Sequence, residues 1–447
     1  MHFALICPPF KSHLAVFATL GRALASRGHR VTLLVNEGAE HEFDAGLPVQ
    51  PVEGTDKRQL DSIIHRASRP RGPLGILRTV HDGAVLTNAF CQHAPKYLRA
   101  LGVDVILGDQ MEPAAGLLAR HLDLPLLSIA CALPVEQDEG IPLPFLSWPY
   151  DPSVEGRQRN KGGERVARLL LTEQRRMIRR WARRMGLQNP IEDLQACMSE
   201  TATIAQTTSA FDFPRLRSKD RLHPVGPLRS EDKAEELPFT VDPGKPFIFM
   251  SLGTLQGHRH RLFRAAAIAC QQLDVQLLVA HCGGLSKQQE HSLGATWVTS
   301  FAPQRAVLKR ADVCITHGGL NTVMDALEFA TPLLVLPIAF DQPGVSARVL
   351  YHDIGLRLSP DYVTVAKMKK AIRTLLADKG YVDRAGEVGR SIAAAGGLQK
   401  ALDIIEAKVG HTASLGGVDA HEQRPSRTDR VQLVVTDART LKPARRS

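Results

Sequence analysis

The stretch WVTSFAPQRAVLKRADVCITHGGLNTVMDALEFATPLLVLPIAFDQ, residues 297–342, decides how the chain is read. At its centre the apolar run 313–316 leads into His317-Gly318-Gly319, and a segment of helical character follows over about 321–330. That order predicts a strand, a glycine turn and a helix N-terminus. A helix start carries unpaired N–H groups and a partial positive charge, so it suits an anion. Two glycines let the backbone approach a ligand closely. His317 stands where an imidazole can hydrogen-bond a phosphate oxygen. Asn321 and Thr322 offer small polar groups at the helix start, and Asn321 is a candidate N-cap. Asp325 lies one turn deeper on the same face, where a carboxylate can accept hydrogen bonds from a ribose diol. Gly-Gly alone reads first as a tight bend. His-Gly-Gly with Asn, Thr and Asp at these spacings favours a nucleotide-phosphate site.

The stretch resembles the nucleotide-sugar signature of the UDP-dependent glycosyltransferases. The match takes in the aromatic-Ala-Pro-Gln opening at Phe301 to Gln304, the block around His317, Gly319, Asp325, Pro332 and Pro337, and the closing Asp341-Gln342. The resemblance implies that His317, Asn321 and Thr322 hold the diphosphate, Asp325 the ribose, and Asp341 and Gln342 the sugar hydroxyls. The family's uracil-stacking residue is usually Trp. Here that position is Phe301, with Trp297 four residues earlier, and either ring is a candidate.

With 447 residues the chain has room for two domains, and 44% hydrophobic with 23% charged residues is ordinary for a globular protein. Seven cysteines, scattered without CxxC or metal-ligand spacing, argue against a disulfide framework or a zinc site and fit a reducing cytoplasm. The start, MHFALICPPF, lacks the length and charged opening of a signal peptide, and no apolar run approaches the ~18 residues of a membrane span. The net charge is +10. Nucleic acid is the reflex partner for such a number, but no nucleic-acid motif accompanies it. An anionic cosubstrate or an anionic membrane surface accounts for it as well.

From the N-terminus, an apolar run at 2–7, a helix over about 14–27, Gly28 as a stop and a strand at 30–35 make a βαβ unit. The dinucleotide fingerprint GxGxxG is absent. His13 stands in the loop after the first strand, where ligands bind in open α/β sheets. Alone it reads first as a helix-start or surface histidine. Residues 103–108 form another apolar strand that ends at Asp109, and a helix at 114–121 and a strand at 125–130 continue the alternation. A carboxylate on one imidazole nitrogen fixes the tautomer and raises the basicity of the other. The plain alternative for Asp109 is a helix cap. The resemblance implies the catalytic roles: the family carries its base in the loop before the first helix and an orienting Asp roughly a hundred residues later.

Within the family, the runs at 112–145, 251–263 and 316–327 are similar to the bacterial zeaxanthin glucosyltransferases, and the likeness extends over about 2–408. Residues 133–148, rich in Pro and apolar side chains, suit an acceptor-side loop or a structured linker. Residues 163–186 predict one helix, with Leu170, Met177, Ile178, Trp181 and Met185 on one side and Arg176, Arg179, Arg180, Arg183 and Arg184 on the other. A solvated face over a buried stripe is the default. The alternative is a membrane-surface helix, useful for a carotenoid acceptor dissolved in a bilayer.

The polar segment 229–246 is the best domain boundary. Beyond it come a strand at 247–250, the loop Ser251-Leu252-Gly253-Thr254, a helix at 260–272, a strand at 275–281, and helices near 343–354, 364–378 and 381–395. The family brings Ser251, Gly253 and Thr254 to the phosphates. The alternation predicts an α/β fold with two doubly wound halves, 1–228 and 247–409, and the resemblance implies that the first takes the acceptor and the second the UDP-sugar. The resemblance adds that they are Rossmann-like and face a central cleft, the GT-B arrangement. The tail, 410–447, lacks an apolar pattern and reads as disordered, with VQLVV as a candidate edge strand.

The implied reaction moves glucose from UDP-glucose to the ring hydroxyls of zeaxanthin, first to the monoglucoside and then to the diglucoside, with inversion. It needs UDP-glucose as cosubstrate, no further cofactor and no metal, and the chain has no Asp-x-Asp motif. A cytoplasmic enzyme, peripheral to the membrane if the 163–186 helix touches lipid, fits this chemistry. Other readings remain open at this point. The acceptor could be a sterol, macrolide or flavonoid. A GT-B epimerase has no need of a His-Asp base for an external hydroxyl. A UDP-binding protein without catalysis has no need of His13 and Asp109.

Overall fold

The computed structural model describes residues 1–415, apart from 41–45, 70–71, 189–190, 217–220 and 231–235. Seven strands form the first sheet: β1 (His2–Ile6), β2 (Arg30–Asn36), β3 (Val49–Val52), β4 (Val105–Asp109), β5 (Leu126–Ala130), β6 (Thr203–Ala205) and β7 (Leu222–Pro224). Their order is β3-β2-β1-β4-β5-β6-β7 and every pairing is parallel. Six strands form the second: β8 (Phe247–Ser251), β9 (Gln276–Ala280), β10 (Trp297–Thr299), β11 (Val313–Thr316), β12 (Leu333–Val335) and β13 (Gly355–Arg357). They run β10-β9-β8-β11-β12-β13, again all parallel.

Parallel strands covered on both faces read as unbroken apolar runs, and β1 and β8 are buried at every residue. Each sheet carries an apolar cluster on either side. Phe3, Leu5, Leu33 and Leu107 point to one face of the first sheet, and Ala4, Ile6, Leu34 and Ile106 to the other. Strand order reverses between β1 and β4 in the first sheet and between β8 and β11 in the second. Open α/β sheets leave a crevice at the carboxyl end of such a reversal.

The two halves touch along those ends. Leu133 N donates to Asp341 Oδ2 at 3.0 Å, Gln206 Nε2 to Asn321 Oδ1 at 3.2 Å, and Gly344 N to Pro144 O at 2.9 Å. Deeper in the contact Arg348, 1% exposed, bonds Asp212 through Nε at 2.8 Å and lies 4.3 Å over the Phe213 ring. Arg215 shares the same carboxylate, and the two guanidinium groups hold Asp212 below the usual carboxylate range despite its burial.

Several expectations need correction. The segment 163–186 is not one helix. Helices Val154–Leu170 and Thr172–Arg184 break at Leu171, where Thr172 Oγ1 bonds Leu169 O at 2.6 Å. The break lets Met177, Ile178 and Trp181 turn onto the N-terminal core. The boundary 229–246 is not a free linker throughout. Leu237, Phe239 and Val241 pack on the second core, with Phe239 stacked on Trp297 at 4.4 Å. The range 247–409 does not belong wholly to the second half. Helix Gly397–Leu415 returns to the first sheet, where Leu398, Ala401, Leu402, Ile405 and Val409 complete the cluster around Phe17 and Leu24. Apolar positions three and four apart give that helix a buried stripe the second sheet cannot cover. Residues 410–415, expected in the disordered tail, continue it, and 416–447 with VQLVV lie outside the described residues.

Candidate active site

Both strand reversals carry the residues the sequence pointed to. At the first, β1 and β4 are neighbours, with Ile6 opposite Gly108. His13 stands in the first turn of helix Lys11–Ser26, and Asp109 is the last residue of β4. Their side chains meet, His13 Nδ1 to Asp109 Oδ2 at 2.7 Å. Met111 N donates to the other carboxylate oxygen at 2.8 Å, so the acid is held from both sides. Asp109 thus also serves a local turn, but its buried face is turned to the imidazole. With Nδ1 engaged, His13 presents Nε2 to the crevice. Burial disfavours imidazolium, but the Asp109 charge and hydrogen bond outweigh it, with Asp341 adding, and the His13 pKa rises above its usual value.

His13, Asp109 and Cys131 place one donor atom each within 4.8 Å of one another, the His/Cys/acid group among the described residues that could hold a metal. Two of the three are already bonded together, and burial pushes the Cys131 thiol well up, so it stays protonated. The donor set fits a hydrogen-bonded dyad better than a resident cation.

At the second reversal β8 and β11 are neighbours, with Ser251 opposite Thr316. The loops that follow close on one another. The His317 ring lies between the backbones of Gly253 and Gly319: a Cβ on either would come within 2.6 Å or 2.7 Å of the ring. Gly253 also has φ +71°, a region side chains disfavour. Burial pushes the His317 pKa down to about 4, so at neutral pH the imidazole is neutral and can donate one N–H. Helix Leu320–Glu328 starts beside it with Gly319 as N-cap and no side-chain cap. This corrects Asn321 as cap: Asn321 and Thr322 sit in the first turn, and their N–H groups, with that of Leu320, are the unpaired donors of a helix start. Ser251 is buried at its strand end, Gly253 N reaches its Oγ at 3.3 Å, and Thr254 is exposed.

The remaining candidates ring this turn. Gln304 Nε2 donates to Asp325 Oδ2 at 2.6 Å, and Thr322 Oγ1 to Gln304 Oε1 at 3.3 Å. Arg229 pairs with Asp325 and Glu328, joining the segment between the halves to the acid. Phe301 is 67% exposed, whereas Trp297 is held by Phe239 and Phe247. Phe301 is therefore the free ring. Asp341 faces the first half, accepting from Leu133 N, and burial pushes its carboxyl up. Gln342 Oε1 accepts from Ile338 N and Ala339 N at 2.8 Å and 2.7 Å, bonds that do not engage its amide nitrogen.

Sequence reasoning missed Gln206, which carries Asn321 from across the crevice, and Arg229. Neither sits in a local motif. Their positions at a strand end and at the head of the connecting segment were the available signals.

Comparison with known proteins identifies the family. The chain is 40% identical over 413 residues to the zeaxanthin glucosyltransferase of Pantoea ananas, covering 91% of this chain and 95% of the relative. The chain belongs to the glycosyltransferase family that contains the zeaxanthin glucosyltransferases. Another member, from Pseudescherichia vulneris, is 38% identical over 93% of this chain and 99% of its own. Residues 270–405 of this glycosyltransferase match the erythromycin biosynthesis protein CIII-like C-terminal domain. The crystal structure of the glycotransferase of kitacinnamycin superposes with a TM-score of 0.72 at 20% identity, over 91% of this chain and 99% of that one. The fold is GT-B, as expected. No helix among the described residues is long and apolar enough to cross a membrane.

Proposed function

We propose that this glycosyltransferase moves glucose from UDP-glucose to the ring hydroxyls of zeaxanthin, with inversion and without a metal. The observation that carries the reading is the pairing of two sites across one crevice. On one side is a histidine whose second nitrogen is free, and on the other a glycine-walled helix start. Kinship to zeaxanthin glucosyltransferases supports the acceptor.

His13 Nε2 takes the proton of the acceptor hydroxyl as its oxygen attacks the anomeric carbon from the side opposite UDP. Asp109 holds the ring and stabilises the imidazolium that forms. A single displacement turns the α-linked glucose of the donor into a β-glucoside. The departing diphosphate gains charge, met by the first N–H groups of helix Leu320–Glu328 and by neutral His317. Ser251, Gly253 and Thr254 line the phosphates from the other loop. Phe301 stacks on uracil. Asp325, oriented by Gln304, accepts from the ribose diol, and Asp341 and the Gln342 amide nitrogen address the glucose hydroxyls. Zeaxanthin carries two equivalent hydroxyls, so a second turnover on the monoglucoside gives the diglucoside.

The test is a product assay with radiolabelled UDP-glucose and detergent-dispersed zeaxanthin, with cholesterol and a flavonol as competitors. Label in two successive zeaxanthin products, lost in His13→Ala, is the expected result. Label on a competitor alone removes the carotenoid assignment and keeps the base and donor site.

A further inference from the structure

The N-terminal half carries an apolar tip that its own core does not use. Helix Gly72–Leu101 begins with Leu74, Ile76 and Leu77 exposed, Leu74 by 70%. Helix Val154–Leu170 ends with Val166 and Leu169 exposed, Leu169 by 74%. The two helices touch. Trp181 Nε1 and Arg180 Nη2 both bond Asn88 Oδ1, at 3.0 Å and 2.7 Å, and further on Met185 O meets His121, whose other nitrogen meets Arg99. Helices Thr172–Arg184 and Val154–Leu170 both pack against helix Gly72–Leu101. Both apolar ends thus belong to this one helical edge of the molecule.

An open cavity of about 750 Å³ lies between helices Lys57–Ser68 and Gly72–Leu101 and is lined by Ile63, Leu74, Leu77 and Val85 among others. Val85, in its lining, is followed in the chain by Leu86 and Thr87, which reach toward the first strand reversal. Leu86 O accepts from Asn36 at the end of β2, and Thr87 Oγ1 bonds Glu112, three residues beyond Asp109, at 2.7 Å. The cavity's outer end is the exposed Leu74 tip.

The charge around this edge is mostly positive, with Asp56 and Asp82 the acids in the cavity lining. Helices Val154–Leu170 and Thr172–Arg184 together hold eleven Lys and Arg against three Glu, namely Glu155, Glu164 and Glu173. Some cations are engaged, Arg175 with Glu192 and Arg176 with Glu173. Arg165 and Arg168, flanking the apolar end, are exposed. So are Arg58 and Arg78 at the cavity rim, where Arg66 pairs with Asp82. Exposed leucines ringed by arginines match the two layers of an anionic bilayer surface: acyl chains at the centre and headgroup phosphates around it. Nucleic acid offers no layer for the leucines.

We propose that this edge docks on an anionic lipid surface, with the cavity between helices Lys57–Ser68 and Gly72–Leu101 opening onto the bilayer as the passage for a lipophilic acceptor. The passage rests on the proposed function, whereas the docking does not. Vesicle sedimentation separates the two. The protein should partition onto vesicles of phosphatidylcholine with phosphatidylglycerol, bind pure phosphatidylcholine at least tenfold less, and be released by 0.5 M salt, a concentration that leaves a Debye length of only about 4 Å. Leu74→Asp with Leu169→Asp should lower partitioning at least tenfold, and Arg165→Glu with Arg168→Glu about fivefold per removed cation. All four sites are exposed, so UDP affinity by calorimetry should stay unchanged and report intact folding. Equal binding to neutral vesicles, binding unaffected by these variants, a change of oligomeric state alone, or binding to duplex DNA in place of vesicles would overturn the proposal. Vesicle binding without zeaxanthin glucosylation keeps the docking and removes the acceptor.

Discussion

Around His317 most of the groups assigned to the diphosphate and ribose lie within residues 317–325, joined by the loop 251–254, while His13 and Asp109 are 96 positions apart and meet only because β1 and β4 are neighbours. The donor side is built largely from backbone: a helix start, two glycines against one ring, and N–H groups with no partner of their own. The acceptor side is built from two side chains whose value lies in the contact between them. Backbone sites tolerate changes of side chain and fail when a Cβ intrudes. Side-chain sites fail at once when either partner changes, even if the fold is untouched.

Five measurements sharpen or break this contrast. His13→Ala should lower kcat by about 10³ and leave UDP affinity by calorimetry unchanged; a parallel loss of UDP binding would show that the two sides are not separate. Asp109→Asn should cost about 10² in kcat and also move the pH profile. The base must be neutral, and its pKa is raised, so wild-type kcat/KM should fall as pH drops through a value above 6.5. Without the Asp109 charge the main influence opposing burial is gone, and the acid limb should move to lower pH; a fixed limb would assign it to another group. On the donor side, Gly253→Ala pushes a methyl into the His317 ring at a positive φ and should weaken UDP binding about tenfold with little change in the acid limb. Phe301→Ala should weaken it about fivefold, the worth of one ring stack, while Trp297→Ala should act on stability instead. EDTA should leave the rate unchanged, and strong inhibition would bring back the His13, Asp109 and Cys131 group as a metal site.

Much of the donor side was legible because it is local. Strand β11, the glycine turn and the helix start follow one another in the chain, and the resemblance rested on the same residues. The N-cap was misplaced because Gly319 caps with its backbone, which leaves no side-chain signature. The dyad was legible only through strand ends: topology puts β1 beside β4, but nothing local says that residues 13 and 109 touch. The break at Leu171 was hidden because arginines continue on both sides of it and propensity does not change. Phe301 and Trp297 could not be told apart until Phe239, from a segment that reads as polar linker, was seen to cover one of them. Gln206 and Asn321 belong to different halves, and a bond of that kind leaves no trace in spacing.

The return of helix Gly397–Leu415 to the first sheet also bears on how the chain is made. Leu398, Ala401, Leu402, Ile405 and Val409 finish a cluster otherwise assembled by Leu228. During synthesis the first half must wait for roughly 170 more residues before that face is covered, about 10 to 30 s at ordinary elongation rates. Over that interval Phe17, Leu20 and Leu24 have no lid on the nascent chain. The acceptor half is the first to emerge from the ribosome and the last to be sealed.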